Sequence, residues 1–159
     1  GAPVSLTVDG TEVGASITEP HVIITPTVYT PDFPTAKGPV KGTDFITKVL
    51  VAAEFTVNQF IAEKLGWTMP GVTESPPGTF RWKPGRIPNT AYHDVIMVGE
   101  GLDGREMVIG ILDAISVQPL DLMMGITTIM GMVVRLEGRY AANKPNDVPF
   151  FLRIHAAGS

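Results

Sequence analysis

The chain has 159 residues and a formal net charge of −4, with 18% charged and 44% hydrophobic residues and no cysteine. At that length it reads as one domain able to bury roughly 70% of its extended surface, and the missing cysteines exclude disulfides, thiolate metal sites and cysteine nucleophiles together. The acidic balance speaks against a dedicated nucleic-acid reader, and charges this sparse, with a mean hydropathy of +0.20, are too few to coat a monomer.

Val4 to Gly14 alternates around Asp9-Gly10, a two-residue hairpin signal, so residues 1–16 are expected to form an N-terminal hairpin or arm. Gly1 to Gly14 has neither a basic start nor an apolar run, and no signal peptide is expected. Ile17 to Thr30 reads as an extended segment in which Pro20 and Pro26 are confined to a sheet edge or a bulge. Pro31 to Gly42 is a loop by composition. Thr43 to Phe55 comes next as a long strand, with Phe45, Val49, Val51 and Phe55 on one face and Asp44, Lys48 and Glu54 on the other. Thr56 and Gln59 then match a capping box that opens a short helix over Val57 to Leu65, with Gly66 as its stop.

Trp67 to Asn89 carries Pro70, Pro76, Pro77, Pro84 and Pro88 among glycines and has no periodicity, so residues 67–90 read as one long irregular loop. A strand meander is expected after it: Ala91 to Val98, Arg105 to Val117, Ile126 to Glu137 and Val148 to His155, separated by Gly and Asp/Asn turns. The most apolar region, Met107 to Val134, is broken by Asp113, Gln118, Pro119 and Asp121. A spanning helix needs about 20 uninterrupted apolar residues, so no membrane insertion is expected.

The catalytic motifs are thin. Gly99-Glu-Gly101-Leu-Asp-Gly104 has the spacing of a dinucleotide-binding turn, but Arg105 to Val117 after it is β-branched and alternating rather than helical, which makes it a hairpin loop. His21, His93 and His155 are far apart and lack ligand spacing, which favours structural roles. No nucleophile elbow, zinc helix or phosphate loop is present; no enzyme activity, cofactor or metal is expected. Phe80 to Arg86 interleaves Arg81, Lys83 and Arg86 with two aromatics, a pattern that suits single-stranded nucleic acid or phosphate contacts but is more common as a basic patch on a solvated loop or against an acidic neighbour. Of the seven methionines, six lie from Met97 onward and suit gap-filling in a core or subunit interface.

The most informative feature is two-sided apolarity. In Arg105 to Val117, Met107, Ile109, Ile111, Ile115 and Val117 oppose Glu106, Val108, Gly110, Leu112, Ala114 and Ser116, and Ile126 to Glu137 repeats the pattern. A solvated antiparallel sheet shows a cleaner polar face. Such strands suggest a sheet that continues into neighbouring subunits.

In layout the chain resembles the major tail tube proteins of long-tailed bacteriophages. The resemblance is carried by PVKGTDFITKVLVAAEFT with VNQFIAEKLG after it, and by GREMVIGILDAISV with the closing PFFLRIH. It implies a mainly β fold, two antiparallel sheets packed as a sandwich or barrel with one short flanking α-helix, over a single domain 1–159. It also implies hexameric rings stacked into a tube that conducts DNA without sequence-specific binding, in a virion tail assembled in the host cytoplasm with other tail proteins as partners. By position, Pro31 to Gly42 corresponds to the stacking loop, with Phe33, Pro34, Lys37 and Lys41 as inter-ring contacts. On that reading the small-residue face, Gly110, Ala114, Ser116, Thr127 and Gly131, is the candidate lumen surface. The alternatives are a β-barrel or sandwich module with a ligand pocket on the methionine-rich face, or another virion protein such as a tail terminator or decoration protein.

Phe55→Asp or Phe60→Asp is therefore expected to unfold the subunit, at a cost of about 3 kcal/mol or more, whereas Phe33→Ala leaves it folded but poor at stacking. Circular dichroism and assembly measured side by side check the division; joint loss in the Phe33 variant contradicts it.

Overall fold

Alternating apolar residues and turn-forming dipeptides give a mainly β chain, about half of it in strands. The computed structural model describes residues 5–13, 20–57, 62–101, 103–119, 122–124 and 129–155, with backbone alone at 62–64, 122–124 and 129–132. Its strands are β1 (Ser5–Val8), β2 (Thr11–Glu12), β3 (His21–Tyr29), β4 (Phe45–Val57), β5 (Thr73–Glu74), β6 (Phe80–Arg81), β7 (His93–Glu100), β8 (Glu106–Ala114), β9 (Leu122–Met124), β10 (Ile129–Glu137) and β11 (Phe150–Ile154). Two antiparallel sheets run in the orders β11-β8-β7-β1-β2 and β3-β4-β10-β9, and β5-β6 is a separate ribbon. The fold is mainly β and sandwich-like, and among the described residues the sheets do not close into a barrel.

The core lies between the sheets. Leu6, Val8, Val95, Met97 and Ile111 from one meet Val51, Phe55, Val57, Val134 and Leu136 from the other, all nearly or wholly buried. Burying such a side chain contributes about 1.5–3 kcal/mol, so this layer is the main source of stability. The first hairpin forms as expected: Asp9 and Gly10 have φ of 51° and 80°, which matches the right-handed twist of the strands they join. β3 is an edge strand with Pro26 paired to Val49 and a register shift just after it, so the proline displaces no ladder bond on an outer neighbour.

The helix differs from expectation. Thr56 and Val57 are still in β4, paired with Val133 and Met132, so Thr56 is no helix cap. Pairing with β10 and the strand preference of β-branched residues carry β4 past the expected boundary. Residues 58–61, which hold Gln59, Phe60 and Ile61, lie outside the described residues. Ala62–Trp67 is a 3-10 turn, not an α-helix, and it closes by setting Trp67 edge-on to Phe55, with centroids 6.4 Å apart at 70°. The loop 67–90 is not structureless either; it contains the β5-β6 ribbon and a 3-10 turn at Asn89–Ala91.

On the outer face of the first sheet β11 pairs with β8, Phe151 opposite Gly110. A Cβ at Gly110 would collide with the Phe151 ring, and the Arg153 guanidinium lies 4.7 Å from that ring's centroid. Gly110→Ala is expected to unseat Phe151 and destabilise the fold by about 1–3 kcal/mol; denaturant unfolding checks it, and a loss below about 0.5 kcal/mol would mean that the ring has room to move.

Candidate assembly interface

From Ala52 to Glu54, β4 is flanked by both β3 and β10, and Val51, Ala53, Phe55 and Val57 are buried. β10 ends opposite Ala52. Just beyond, the Tyr140 hydroxyl stands where a third strand would be: it accepts from the Val49 amide at 3.0 Å and donates to the Val49 carbonyl at 3.4 Å. Past that point β3 alone accompanies β4, out to the Tyr29–Phe45 pair, and the two strands project as a ribbon. Beside Thr27, Thr47 and Lys48 it displays large apolar side chains: Val28 is 52%, Tyr29 58%, Phe45 61% and Ile46 67% exposed. Isolated exposed apolar residues are ordinary, but a contiguous group marks a contact surface.

The ribbon ends in a tied tip. Thr30 Oγ1 donates to Asp44 Oδ1 at 2.6 Å, and the Thr43 amide and hydroxyl both donate to the Val40 carbonyl. Phe33, Pro34, Lys37 and Lys41 are all exposed there, so the structure brings these four sequence-predicted residues to one end of the molecule. Sequence reasoning missed Ile46 and Leu50: alternation sets both beside Asp44, Lys48 and Glu54 on the face taken as polar, which was the available signal that this strand is apolar on both sides, and the register shift at Thr47 then carries Ile46 to the face of Val49.

The candidate lumen residues do not share an open face. Gly110 is buried beneath Phe151, Ala114 is fully buried in the core and Ser116 is 7% exposed. The reason is a bulge: His93 pairs with Ala114 but Val95 with Ile111, so Asp94 opposes both Leu112 and Asp113. One extra residue exchanges the two faces of a strand, which turns Ala114 inward. Thr127 lies outside the described residues, and Gly131 stands in β10 opposite Met123.

Several charges pair locally. Arg135 bonds Glu54 at 3.2 Å and, with Arg139, flanks the buried Glu137. His93 Nδ1 meets Asp9 Oδ2 at 2.6 Å and His155 lies 3.4 Å from Glu106, while His21 is exposed on β3. Among the described residues no group of three or more His, Asp or Glu could hold a metal ion, and no helix is long and apolar enough to cross a membrane. The glycine-rich turn is a β7-β8 hairpin loop, as expected, with the Gly101 amide bonded to the Arg105 carbonyl and the Gly104 amide to that of Gly101. No family model matches the chain, and no curated protein matches it.

Inside that loop the Arg105 side chain, 2.6 Å from Asp103 Oδ2, holds the Asp103 carboxyl below the usual range, and the Arg105 backbone amide adds to the effect. A depressed value favours the folded turn above the unfolded carboxyl's pKa, and that contribution is lost as pH falls through the folded value. An NMR titration is expected to give Asp103 a midpoint below that of a free aspartate and to return it to the ordinary range in Arg105→Gln.

Proposed function

We propose that this chain is a structural subunit that assembles with copies of itself into rings, six to a ring, stacked into a tail tube of the kind long-tailed phages use to conduct DNA. The observation that carries this reading is the β3-β4 ribbon. Val28, Tyr29, Phe45 and Ile46 stay more than half exposed in their own subunit, and burial against another copy contributes about 25 cal/mol per Å² of apolar surface covered. The tip residues Phe33, Pro34, Lys37 and Lys41 sit where such a ribbon would reach a stacked ring.

Two unpaired strand edges support lateral growth: β11, with Leu152 46% exposed, and β3 are terminal in their sheets among the described residues. Such edges are templates for pairing with another chain. The net negative charge suits a conduit, since each phosphate neutralised by a cation adds attraction that would hold DNA back. In this role the protein belongs to the virion tail, with itself and other tail proteins as partners.

Sedimentation velocity and negative-stain imaging of concentrated protein are expected to show rings or tubes. Phe45→Ser/Ile46→Asp should abolish them while shifting unfolding free energy by no more than about 0.5 kcal/mol, as for other exposed positions. Monomers alone at every concentration tested would overturn the proposal.

A further inference from the structure

The basic and aromatic segment at residues 80–86 lies outside the β3-β4 ribbon, and it lines a cleft. Trp82, Lys83, Pro84, Arg86 and Ile87 face Pro70 across a space of about 360 Å³, at the small end of the range for ligand sites. Its walls are held in place. The Trp82 indole N–H donates to the Pro70 carbonyl at 2.8 Å, and Gly71 stands beside Pro88, where a Cβ would make an ordinary van der Waals contact with the proline ring. Half of the Trp82 side chain nonetheless stays open, at 50% exposure.

The arginines around it are unlike those elsewhere. Arg105, Arg135 and Arg139 pair with carboxylates, and Arg153 lies over Phe151. Arg81, Lys83 and Arg86 have no carboxylate within ion-pair distance among the described residues. Of these, Lys83 and Arg86 line the cleft beside the half-open indole, and a guanidinium fork beside an ammonium is suited to an oxyanion.

We propose that this cleft binds an acidic sugar unit, a pyranose ring bearing a carboxylate, within a polysaccharide. The ring's C–H face lies against the indole and the prolines, and the carboxylate accepts hydrogen bonds from Arg86 and Lys83. Single-stranded nucleic acid is disfavoured: its binders array several aromatic platforms along a positive groove, whereas in this cleft Trp82 is the open ring, Phe80 is half-buried and the chain is acidic overall. The site goes beyond the tube reading and does not depend on it.

The test is a titration of the full chain with trigalacturonate, monitored by tryptophan emission. Trp67 is 8% exposed, so the response reports Trp82. A saturable change is expected with Kd on the order of 1 mM or tighter, weakened about tenfold or more in Lys83→Ala/Arg86→Ala through loss of charge-assisted bonds, with the circular dichroism of that variant unchanged. An equal response to neutral maltotriose would overturn the assignment of the cations. Tighter binding of a thymidine hexanucleotide would replace the sugar with nucleic acid, and the absence of any saturable response to trigalacturonate would dismiss the site.

Discussion

The two sheets are held together at one corner by a single extra residue in β8. Asp113 takes a left-handed backbone conformation, with φ of 50°, which aspartate tolerates better than most residues. The conformation is fixed by a relay of carboxylates and amides. Asp94 Oδ1 accepts from the Asp113 amide at 3.1 Å, the Asp94 amide donates to Asp9 Oδ1 at 2.7 Å, and the Asp9 amide donates back to the Asp94 carbonyl at 2.8 Å. The first hairpin turn, β7 and the bulge are therefore one unit. Beyond the bulge the chain leaves its own sheet, and Ile115 exchanges both backbone bonds with Glu137 of the other, at 2.8 and 2.9 Å. Packing of Ile111 and Ala114 into the same core, although they are three residues apart in one strand, depends on this step.

Much of the layout was legible because it arises from local chemistry. Asp9-Gly10 announced a tight hairpin, Pro26 announced an edge, and the runs around Val51, Val95, Ile109 and Val134 announced strands, because period-two apolarity and turn residues act over a few positions. What escaped depends on contacts between distant segments. Thr56 carries a good cap pattern, yet a partner strand at Val133 outweighs it. Alternation assigned Ala114 to an open face, and nothing local distinguishes Asp113 as the place where alternation stops, since its bulge is satisfied by Asp94 nineteen residues earlier in the chain. Of the candidate site, the tip was legible as a Pro/Gly-rich loop between two strands, whereas the openness of Tyr29 and Ile46 was not, because exposure depends on where β10 ends.

The molecule divides its apolar residues between two tasks. Those on the facing sides of the sheets are enclosed and stabilise the fold; those on the ribbon are displayed. The sparse charge noted from composition is the same division seen in bulk, and many of the charges that do exist are drawn into pairs at the seam, around Glu137, and at the hairpin turn of Asp103 and Arg105. With so few charges on the chain, encounters between copies are governed by shape and apolar contact more than by long-range steering.

The Tyr140 hydroxyl at Val49 acts as a register stop. By occupying both the amide and the carbonyl of that residue, it removes one position from the open edge of β4. A strand adding to that edge from outside can begin only below Val49 and can run only toward the tip, so one phenol sets both the starting point and the maximum length of any sheet the ribbon extends.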